Sequence, residues 1–551
     1  MLIEEKASNK LPTKTSLFFK LSCYNPTLFN TLVQTDDTVY DNTTSVFEFP
    51  VNKTIYLIEL ILPYDEVTIK LLHEKPTTIV HCDKYQFKQK PYRHQLEGIE
   101  YGASRETGWM LLDDTGLGKS LQMIYLAEVL KKRENLSHCF IVCGVNSLKY
   151  NWASEIEKFS NLSYHILGQK VSKKGKLSFA SVSERCAELK AGIKEFFVIT
   201  NIETLRDRAF ADAFNKSKSK FDMVVLDEAH KCKDPTTKAA KTLLKLKSKR
   251  CIALTGTIIM NVPENAYVPL KWTGNTKSTY SQFKHMYNMY GGFGMKQVIG
   301  FKNLELLNEL ISSCSLRRLK SEVLDLPDKV YITDYVELYT EQRKLYDNVA
   351  EGVIAELNKL DHTPTILEQI TLNMRLRQIT ATPSILSSEV TQSAKMDRVC
   401  ELAEQIVSQG DKFVVFTTFK ETSEQLYNML SQYNPVICTG NTSAVETEQN
   451  KYKFQNDNSC KCFIGTWQKC GTGHTLTAAN YLIFVDTPWT DADFAQACDR
   501  IYRIGQDKSV FIITIVAKDT YDEEVLKIVS NKADLSSKIQ TTENRTYQEK
   551  I

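Results

Sequence analysis

Short apolar runs alternate with amphipathic stretches along most of this 551-residue chain. In the first half, runs with the length of buried strands lie at 138–143, 196–200, 223–226 and 251–254. The second half repeats the alternation, with runs at 412–417, 435–438, 462–465, 481–485 and 510–516. Buried strands that alternate with helical patterns are typical of parallel sheets covered by helices. The pattern therefore predicts an α/β chain with two such sheets.

Two segments do not follow this alternation. Residues 1–85 have alternating apolar positions at 46–49 and an apolar run at 55–62, and we interpret them as a small, strand-rich accessory domain. Residues 271–390 are rich in helical patterns and predict inserted helices and a linker, with Gly291, Gly292 and Gly294 in a flexible loop. The predicted sheet domains then span 86–270 and 391–535, and 536–551 form a flexible tail.

Composition narrows the class of protein only slightly. Lysine plus arginine number 69 against 66 acidic residues, so the net charge of +3 does not by itself indicate a nucleic-acid binder. The 14 cysteines have no zinc-like spacing and are expected to be reduced thiols. With neither a leader nor an apolar run of membrane-spanning length, we expect a soluble intracellular protein without a membrane partner, in cytoplasm or nucleus.

A glycine loop suggests nucleotide chemistry. It follows the apolar residues 109–112, precedes an amphipathic stretch, and reads Asp113-Asp114-Thr115-Gly116-Leu117-Gly118-Lys119-Ser120. A turn from strand to helix aims backbone N–H groups at phosphate. Lys119 would hold the outer phosphates, and the Ser120 hydroxyl would complete the shell of Mg²⁺. The loop predicts ATP as ligand, although Asp113 stands where the general pattern has glycine.

Two adjacent carboxylates supply the chemistry that a phosphate loop lacks. An apolar strand at 222–226 ends in Asp227 and Glu228, the position at which parallel sheets carry functional groups. Asp227 can orient Mg²⁺ through its water shell, and Glu228 can accept a proton from the water that attacks the γ-phosphate. Together with the glycine loop, this pair predicts an ATPase.

Further blocks in the same order resemble the Swi/Snf branch of superfamily 2 helicases over about residues 86 to 530. They include Asp227-Glu228-Ala229-His230, Leu254-Thr255-Gly256-Thr257, Asn151-Trp152, Arg317-Arg318-Leu319-Lys320, and the segment from Gln496 to Gln506 that contains Arg500 and Arg503. The resemblance implies two RecA-like lobes that bind ATP between them, with inserted helical protrusions that grip DNA. It also implies motion along double-stranded DNA.

The resemblance assigns catalytic roles to three residues of the second lobe, Gln496, Arg500 and Arg503. Arg500 and Arg503 are three residues apart, so we predict them on one face of a helix, with both guanidinium groups in one cleft. Arg503 would stabilise the γ-phosphate when the lobes close. Asp499 is an alternative partner for Arg500. In the first lobe, Gln95 matches the motif in which a glutamine recognises adenine.

Likeness to the family also implies roles beyond the nucleotide. Residues expected to couple the nucleotide to DNA are His230, Thr255 and Thr257. Residues expected along one DNA strand are Lys149, Asn201, Thr466, Gly473 and Thr475. Among the basic clusters, 317–320 has the strongest claim to a DNA contact, because of its place in the family pattern.

The predicted function is therefore an ATP-dependent double-stranded DNA translocase of the Swi/Snf type. Two alternatives stay open: a strand-separating DNA or RNA helicase, and a nucleotide-gated clamp on nucleic acid without turnover. The accessory domain at 1–85 supplies no catalytic set, and either a protein partner or a structural cap would explain it.

Overall fold

A computed structural model describes residues 2–7, 15–21, 25–35, 38–50, 54–61, 68–70, 80–144, 148–171, 177–256, 258, 262–292, 297–358, 366–470 and 475–527. The predicted tail at 536–551 lies outside these residues, as do Thr257, Gly294 and Gly473. The described chain forms two compact units that divide between Arg318 and Leu319, except that residues 115–117 group with the second unit.

The N-terminal segment forms a small mixed domain within the first unit. Its elements are β1 (Leu2–Ala7), β2 (Thr15–Phe19), α1 (Pro26–Val33), β3 (Val39–Asp41), β4 (Val46–Pro50), α2 (Thr54–Ile61) and β5 (Thr68–Lys70). The five strands form one sheet in the order β3-β4-β2-β1-β5, in which only the β1–β5 pair is parallel. The apolar run at 55–62 forms helix α2 through Ile61, so this part of the strand-rich domain is helical.

The rest of the first unit consists of a central sheet and its covering helices. Its strands are β6 (Trp109–Leu111), β7 (His138–Cys143), β8 (Tyr164–Ile166), β9 (Gln169–Val171), β10 (Leu177–Phe179), β11 (Phe197–Asn201), β12 (Phe221–Asp227), β13 (Arg250–Leu254), β14 (Asn288–Gly291), β15 (Gln297–Phe301) and β16 (Ser315–Leu316). Its helices are α3 (Arg93–Ala103), α4 (Lys119–Glu134), α5 (Leu148–Phe159), α6 (Val182–Ala191), α7 (Ala209–Asn215), α8 (Lys238–Leu243), α9 (Tyr267–Trp272), α10 (Tyr280–Tyr287) and α11 (Leu304–Ser313).

Seven of these strands form a wholly parallel sheet in the order β16-β6-β13-β12-β7-β11-β8. Apolar side chains cover both faces, with one buried cluster around Phe140 and another around Tyr125. The first cluster continues into the N-terminal domain through Phe47 and Phe49. The N-terminal domain is therefore packed onto this lobe through a shared core.

The second unit has the same architecture. Its strands are β17 (Lys329–Val336), β18 (Phe413–Thr417), β19 (Val436–Cys438), β20 (Cys462–Thr466), β21 (Tyr481–Phe484) and β22 (Val510–Ala517). Its helices are α12 (Lys320–Val323), α13 (Thr340–Asn358), α14 (Ile366–Ala381), α15 (Ala394–Ser408), α16 (Lys420–Met429), α17 (Ala444–Asn456), α18 (Trp467–Cys470) and α19 (Asp491–Cys498). The six strands form a parallel sheet in the order β17-β22-β21-β18-β20-β19. Two RecA-like lobes are thereby confirmed.

The segment at 271–390 differs most from the sequence expectation. It supplies β16 to the first sheet and β17 to the edge of the second, so both sheets draw strands from outside the predicted boundaries. Two antiparallel strands, β14 and β15, flank the glycines that were expected in a flexible loop. The remaining elements of this segment are mainly helices, as predicted.

Two further expectations concern the class of protein. Every cysteine at a described position is a free thiol, and all of them except Cys400 are buried, which agrees with the prediction of reduced thiols. In the part of the chain that the structure describes, each helix is too short or too polar to cross a membrane.

Candidate nucleotide site

The glycine loop connects the carboxyl end of β6 to the first residue of α4. Gly116 and Gly118 have φ angles of 89° and 79°, a left-handed conformation that favours glycine over residues with a side chain. Gly118 is the N-cap of α4, a helix of 16 residues that begins at Lys119. The first N–H groups of such a helix have no partner within it, and its dipole is positive at this end. The loop therefore has the geometry of a phosphate site.

Lys119 and Gln95 both lie against this loop. The Lys119 ammonium donates to the carbonyl oxygens of Asp113 and Asp114, at 2.7 and 3.2 Å. Gln95 is buried, and a Cβ placed on Gly118 would lie only 2.4 Å from the Gln95 Nε2. The Gln95 Oε1 accepts from the Tyr92 N–H at the start of α3. The structure thus brings Gln95 to the loop, and its recognition of adenine stays a prediction.

Asp113, which replaces the usual first glycine of the loop, is fully buried. Its two carboxylate oxygens accept from Arg318 Nε at 3.0 Å and Nη2 at 2.6 Å, a paired arrangement that is stronger than a single hydrogen bond. Gln122 Nε2 donates to Oδ2 at 3.0 Å, and Arg318 also donates to the His94 carbonyl. The Asp113 carboxylate therefore anchors the first residue of the loop to Arg318 and Gln122 inside the first lobe.

This network corrects the expectation for Arg318. Its side chain is only 9% exposed, because all the polar partners described above lie inside the first lobe. An arginine that contacts a DNA backbone has to reach solvent-exposed phosphates. Arg318 is therefore a structural support of the glycine loop, and the prediction of a DNA contact is wrong for this residue.

Asp227 is the last residue of β12 and Glu228 follows it, at the same edge of the sheet as the glycine loop. Glu228 has φ 53° and ψ 51°, a left-handed conformation that costs about 1 to 3 kcal/mol for a residue with a side chain. A Cβ on Gly144, just after β7, would lie 2.6 Å from the Glu228 Cβ. The position of Glu228 therefore depends on the absence of a side chain at residue 144.

The Asp227 carboxylate is held by two donors. Trp152 Nε1 on α5 donates to Oδ2 at 2.9 Å, and the Glu228 N–H donates to Oδ1 at 3.0 Å. Burial, followed by the neighbouring charge of Glu228, raises the pKa of Asp227 to about 7, although the Trp152 hydrogen bond and Lys119 act to lower it. A desolvated carboxylate of this kind gains most from a cation placed beside it.

His230 lies between Glu228 of the acidic pair and Thr255. His230 Nδ1 lies 3.3 Å from Glu228 Oε2 and 3.1 Å from Thr255 Oγ1, at the end of β13. The imidazole therefore links the expected base to the threonine block. The coupling role of His230 and Thr255 stays a prediction, and Thr257 lies outside the described residues.

In the second lobe, Arg500 and Arg503 do not lie on a helix. Helix α19 ends at Cys498, and residues 499–505 form consecutive turns that end at Gly505, with φ 94°. Arg500 is buried and its Nε donates to the Gln496 carbonyl at 2.9 Å. The prediction of a shared helical face is therefore wrong, because the helix stops before the first arginine.

Asp499 pairs with Lys320, whereas the sequence had suggested Arg500 as its partner. Its carboxylate accepts a hydrogen bond from the Lys320 ammonium, which also donates to the Tyr502 carbonyl at 2.8 Å. Both groups of the ion pair are largely buried, with 8% of the Lys320 side chain and 13% of the Asp499 side chain exposed. Lys320 thus contacts the residues that immediately precede Arg500 and Arg503.

The residues expected along a DNA strand differ in how far their side chains are buried. Lys149 is buried, with its Nζ 4.1 Å from the centre of the Phe179 ring. Burial, assisted by the charge of Arg185, lowers its pKa to about 8. Asn201 and Thr466 are also buried, and Thr475 is half-buried. Their contacts with DNA stay predictions, and for Lys149 such a contact would require the side chain to leave its buried position.

Three residues hold carboxylates of the site in place, a role that the sequence did not predict for them: Trp152, Arg318 and Lys320. Trp152 lies 75 positions from Asp227, Arg318 lies 205 positions from Asp113, and Lys320 lies 179 positions from Asp499. Periodicity and spacing report only neighbours in the chain, so neither could identify these pairs. The one available signal was that all three residues fall in blocks that resemble the family pattern.

Comparison with known families agrees with this site. The SNF2-related domain matches residues 94–385, more than half of the chain, and the helicase conserved C-terminal domain matches residues 394–505. The chain belongs to the SNF2-related family.

Among curated relatives, an uncharacterised ATP-dependent helicase of Mycoplasma pneumoniae is 29% identical over 490 residues, which cover 86% of this chain and 45% of that protein. The putative ATP-dependent helicase/translocase YwqA of Bacillus subtilis is 28% identical, over 80% of this chain and 47% of its own. The DNA annealing helicase and endonuclease ZRANB3 of Bos taurus is also 28% identical, over 82% and 41%. The chain spans less than half the length of these relatives.

A solved structure, the Sulfolobus solfataricus SWI2/SNF2 ATPase core in complex with dsDNA, is 27% identical to this chain. The match covers 84% of this chain and 95% of that one, with a TM-score of 0.39.

Proposed function

We propose that this chain hydrolyses ATP to move along double-stranded DNA. The observation that supports this function most directly is the convergence of the glycine loop and the acidic pair at one edge of the first sheet. Strands β6 and β12 are separated there only by β13, and the carboxyl ends of parallel strands meet at a common edge. Membership in the SNF2-related family supports the same activity.

Within the first lobe, each residue has a distinct task in binding. The N–H groups at the start of α4 bind the phosphates, and Lys119 neutralises the outer ones. Gln95, which lies over the loop, recognises adenine through its amide. The buried carboxylate of Asp227 and the hydroxyl of Ser120 are oxygen donors of the type that Mg²⁺ prefers, and they would hold the ion. When bound, Mg²⁺ supplies positive charge that compensates the phosphate oxygens.

The chemical step requires a proton acceptor for the attacking water and a cation that stabilises the charge developing on the transferred γ-phosphate. Glu228 accepts the proton of the attacking water, and its left-handed backbone fixes where its carboxylate can act. His230 contacts both Glu228 and Thr255, and it couples the protonation state of Glu228 to the threonine block. Arg503 supplies a guanidinium that stabilises the charge developing on the γ-phosphate, with Arg500 and Gln496 in supporting roles.

Double-stranded DNA is the proposed track. Curated relatives named as a DNA annealing helicase and as a chromatin-remodelling protein support DNA as the partner. Contacts that follow the phosphate backbone give little sequence preference and weaken steeply with salt. We therefore expect duplex of any sequence to stimulate ATP hydrolysis, less strongly as the salt concentration rises.

The test is a measurement of ATP hydrolysis with duplex DNA, single-stranded DNA and RNA, combined with displacement of a triplex-forming strand. Stimulation mainly by duplex, together with triplex displacement that depends on ATP, is the expected result. Stimulation mainly by single strands with unwinding of a forked duplex would instead identify a strand-separating helicase. ATP-dependent binding to DNA without turnover would identify a clamp.

The Glu228→Gln variant tests the assignment of the base. It keeps the size and hydrogen-bonding capacity of the side chain but cannot accept the proton, so we expect retained ATP binding with hydrolysis reduced at least about 100-fold. Arg503→Ala should reduce hydrolysis by a comparable or larger factor. Turnover by Glu228→Gln at the wild-type rate would remove Glu228 from the proposed mechanism.

A further inference from the structure

Lys320 contacts the arginine segment of the second lobe at two points. Its ammonium donates to the Asp499 carboxylate and to the Tyr502 carbonyl. These two acceptors immediately precede Arg500 and Arg503. Lys320 is itself buried at the start of α12, so its ammonium is held inside the protein.

The turn that carries the two arginines is held by bonds within its own segment and by bonds to other parts of the second lobe. Because α19 ends at Cys498, residues 499–505 rely on short-range turn bonds, such as Tyr502 N–H to the Cys498 carbonyl at 3.1 Å, and on the Leu476 N–H, which donates to the Arg500 carbonyl at 2.8 Å. The Arg500 Nε donates to the Gln496 carbonyl within the same segment. Lys320, by contrast, comes from more than 170 residues earlier in the chain, and fixes this turn to a separate element.

The charge of Asp499 makes this contact important for the arginines. Asp499 is adjacent to Arg500 in the chain, and its carboxylate is only 13% exposed. A buried carboxylate strongly favours a cationic partner. Without Lys320, the cations close to Asp499 would be the Lys329 ammonium, which interacts with the Asp499 charge, and the guanidinium groups of the adjacent turn that hydrolysis requires.

We propose that Lys320 is a positioning residue for the catalytic arginine pair. By binding Asp499 it keeps that carboxylate from neutralising a guanidinium, and by binding the Tyr502 carbonyl it fixes the turn between Arg500 and Arg503. This inference rests on the proposed function, because it concerns arginines that act on ATP. It differs from the expectation that residues 317–320 contact DNA.

The test compares DNA-stimulated ATP hydrolysis by Lys320→Met, Asp499→Asn and the double variant. Methionine keeps most of the aliphatic length of lysine and removes the ammonium. We expect Lys320→Met to lower kcat about tenfold while the KM for ATP changes less than about twofold, since Lys119 and the N–H groups at the start of α4 are unchanged. The double variant should recover most of the lost kcat, because a neutral amide does not capture a guanidinium as an ion pair.

Lys508→Met is the matched control. Lys508 also pairs with an aspartate of the second lobe, Asp411, at 2.5 Å, but its ammonium bonds to neither residue 499 nor residue 502. Its kcat should equal that of the wild type. Thermal melting of each variant checks that it is folded, and if Lys320→Met is unfolded, comparison of the double variant with Asp499→Asn carries the test: equal kcat supports the proposal.

The outcomes separate this inference from the proposed function. A wild-type chain that does not hydrolyse ATP overturns the proposed function and this inference with it. An active wild type with unchanged kcat in Lys320→Met overturns the inference alone. A folded Lys320→Met that loses activity without recovery in the double variant also overturns it, because the ion pair would then serve only the structure of the lobe.

Discussion

Trp152 Nε1 donates a hydrogen bond of 2.9 Å to the Asp227 carboxylate. Asp227 is half-buried in the first lobe, and the tryptophan is only 1% exposed. A hydrogen bond to an ionised group inside a protein is worth about 1.5 to 3 kcal/mol. The indole therefore selects one orientation of the carboxylate and favours its ionised form, which is the form that can hold Mg²⁺.

Substitution of Trp152 by phenylalanine should weaken the use of Mg²⁺. The ring is retained, but Asp227 loses a donor that lowers its pKa. We expect a higher Mg²⁺ concentration for half-maximal ATP hydrolysis and a fall in kcat of about tenfold, as the loss of one such hydrogen bond implies. A titration of the ATPase rate with Mg²⁺ measures both quantities.

The matched control for this variant is Trp272→Phe. Trp272 is also buried in the first lobe, but its Nε1 has no hydrogen-bond partner in the described structure. The same chemical change should therefore leave the Mg²⁺ dependence as it is in the wild type. Equal effects of the two substitutions would contradict the role of the Trp152 hydrogen bond.

The raised pKa of Asp227 predicts how pH affects stability. Its pKa is about 7 in the folded protein against an ordinary value of 3.8, so the folded state binds this proton more tightly than the unfolded state does. The resulting stabilisation is present at low pH and is lost as pH rises through about 7. Asp227→Asn does not titrate, so we expect it to gain stability relative to the wild type between pH 5 and pH 8.

Urea unfolding of the Mg²⁺-free protein at the two pH values measures this effect. The difference in the free energy of unfolding between Asp227→Asn and wild type should become more positive at pH 8 by on the order of 1 kcal/mol. Titrating groups that do not interact with Asp227 contribute equally to both proteins and cancel. A difference that is the same at pH 5 and pH 8 would show that Asp227 is already ionised at the lower pH.

Gly144 should not tolerate a side chain. The Cβ of Gly144→Ala would lie 2.6 Å from the Glu228 Cβ, closer than real Cβ atoms approach, so Glu228 would have to move. We expect hydrolysis to fall at least about tenfold while ATP binding is retained, because a misplaced catalytic group loses rate steeply. Equilibrium binding of labelled ATP and steady-state turnover separate these two effects.

Gly440→Ala provides the comparison. A Cβ on Gly440 meets no heavy atom within 4 Å, so the same substitution adds no clash. Its turnover should match that of the wild type. Full activity in Gly144→Ala would mean that the position of Glu228 has no bearing on catalysis.

Arg318→Ala should destabilise the first lobe. The substitution leaves the Asp113 carboxylate buried without its paired donors, and loss of one partner of a buried ion pair typically costs about 3 to 5 kcal/mol. Thermal unfolding should show a clear fall in the melting temperature. In Arg93→Ala, which breaks an exposed ion pair with Glu97, the expected cost is below about 1 kcal/mol. Equal melting temperatures for the two variants would contradict the supporting role of Arg318.

The buried strands and the nucleotide motifs were predictable because each of them is encoded in one short, continuous segment of the sequence. The apolar run at 138–143 coincides with β7, and the loop and the acidic pair each lie in one short segment. Strand β17 was not predictable, because it lies at a sheet edge and several of its side chains are exposed, including Tyr331 at 59%. Strand β16 has only two residues, too few for any periodicity.

The supports of the site could not be predicted for a different reason. A buried carboxylate needs a donor, but nothing in the chain around Asp113 or Asp227 indicates which distant residue supplies it. Spacing also failed for Arg500 and Arg503, since a separation of three residues fits successive turns as well as a helix. Tertiary contacts, and not local preference, decide these features.

The outermost strand of the first sheet, β16, has a consequence for synthesis of the protein. It pairs with β6 through Ser315 and Leu316, although β6 leaves the ribosome some 200 residues earlier. Until this late strand emerges, one edge of β6 has no strand to bond with. Nascent chains stalled near residue 270 should therefore be protease-sensitive. The smallest fragment of this lobe that can fold independently should extend at least through Arg318.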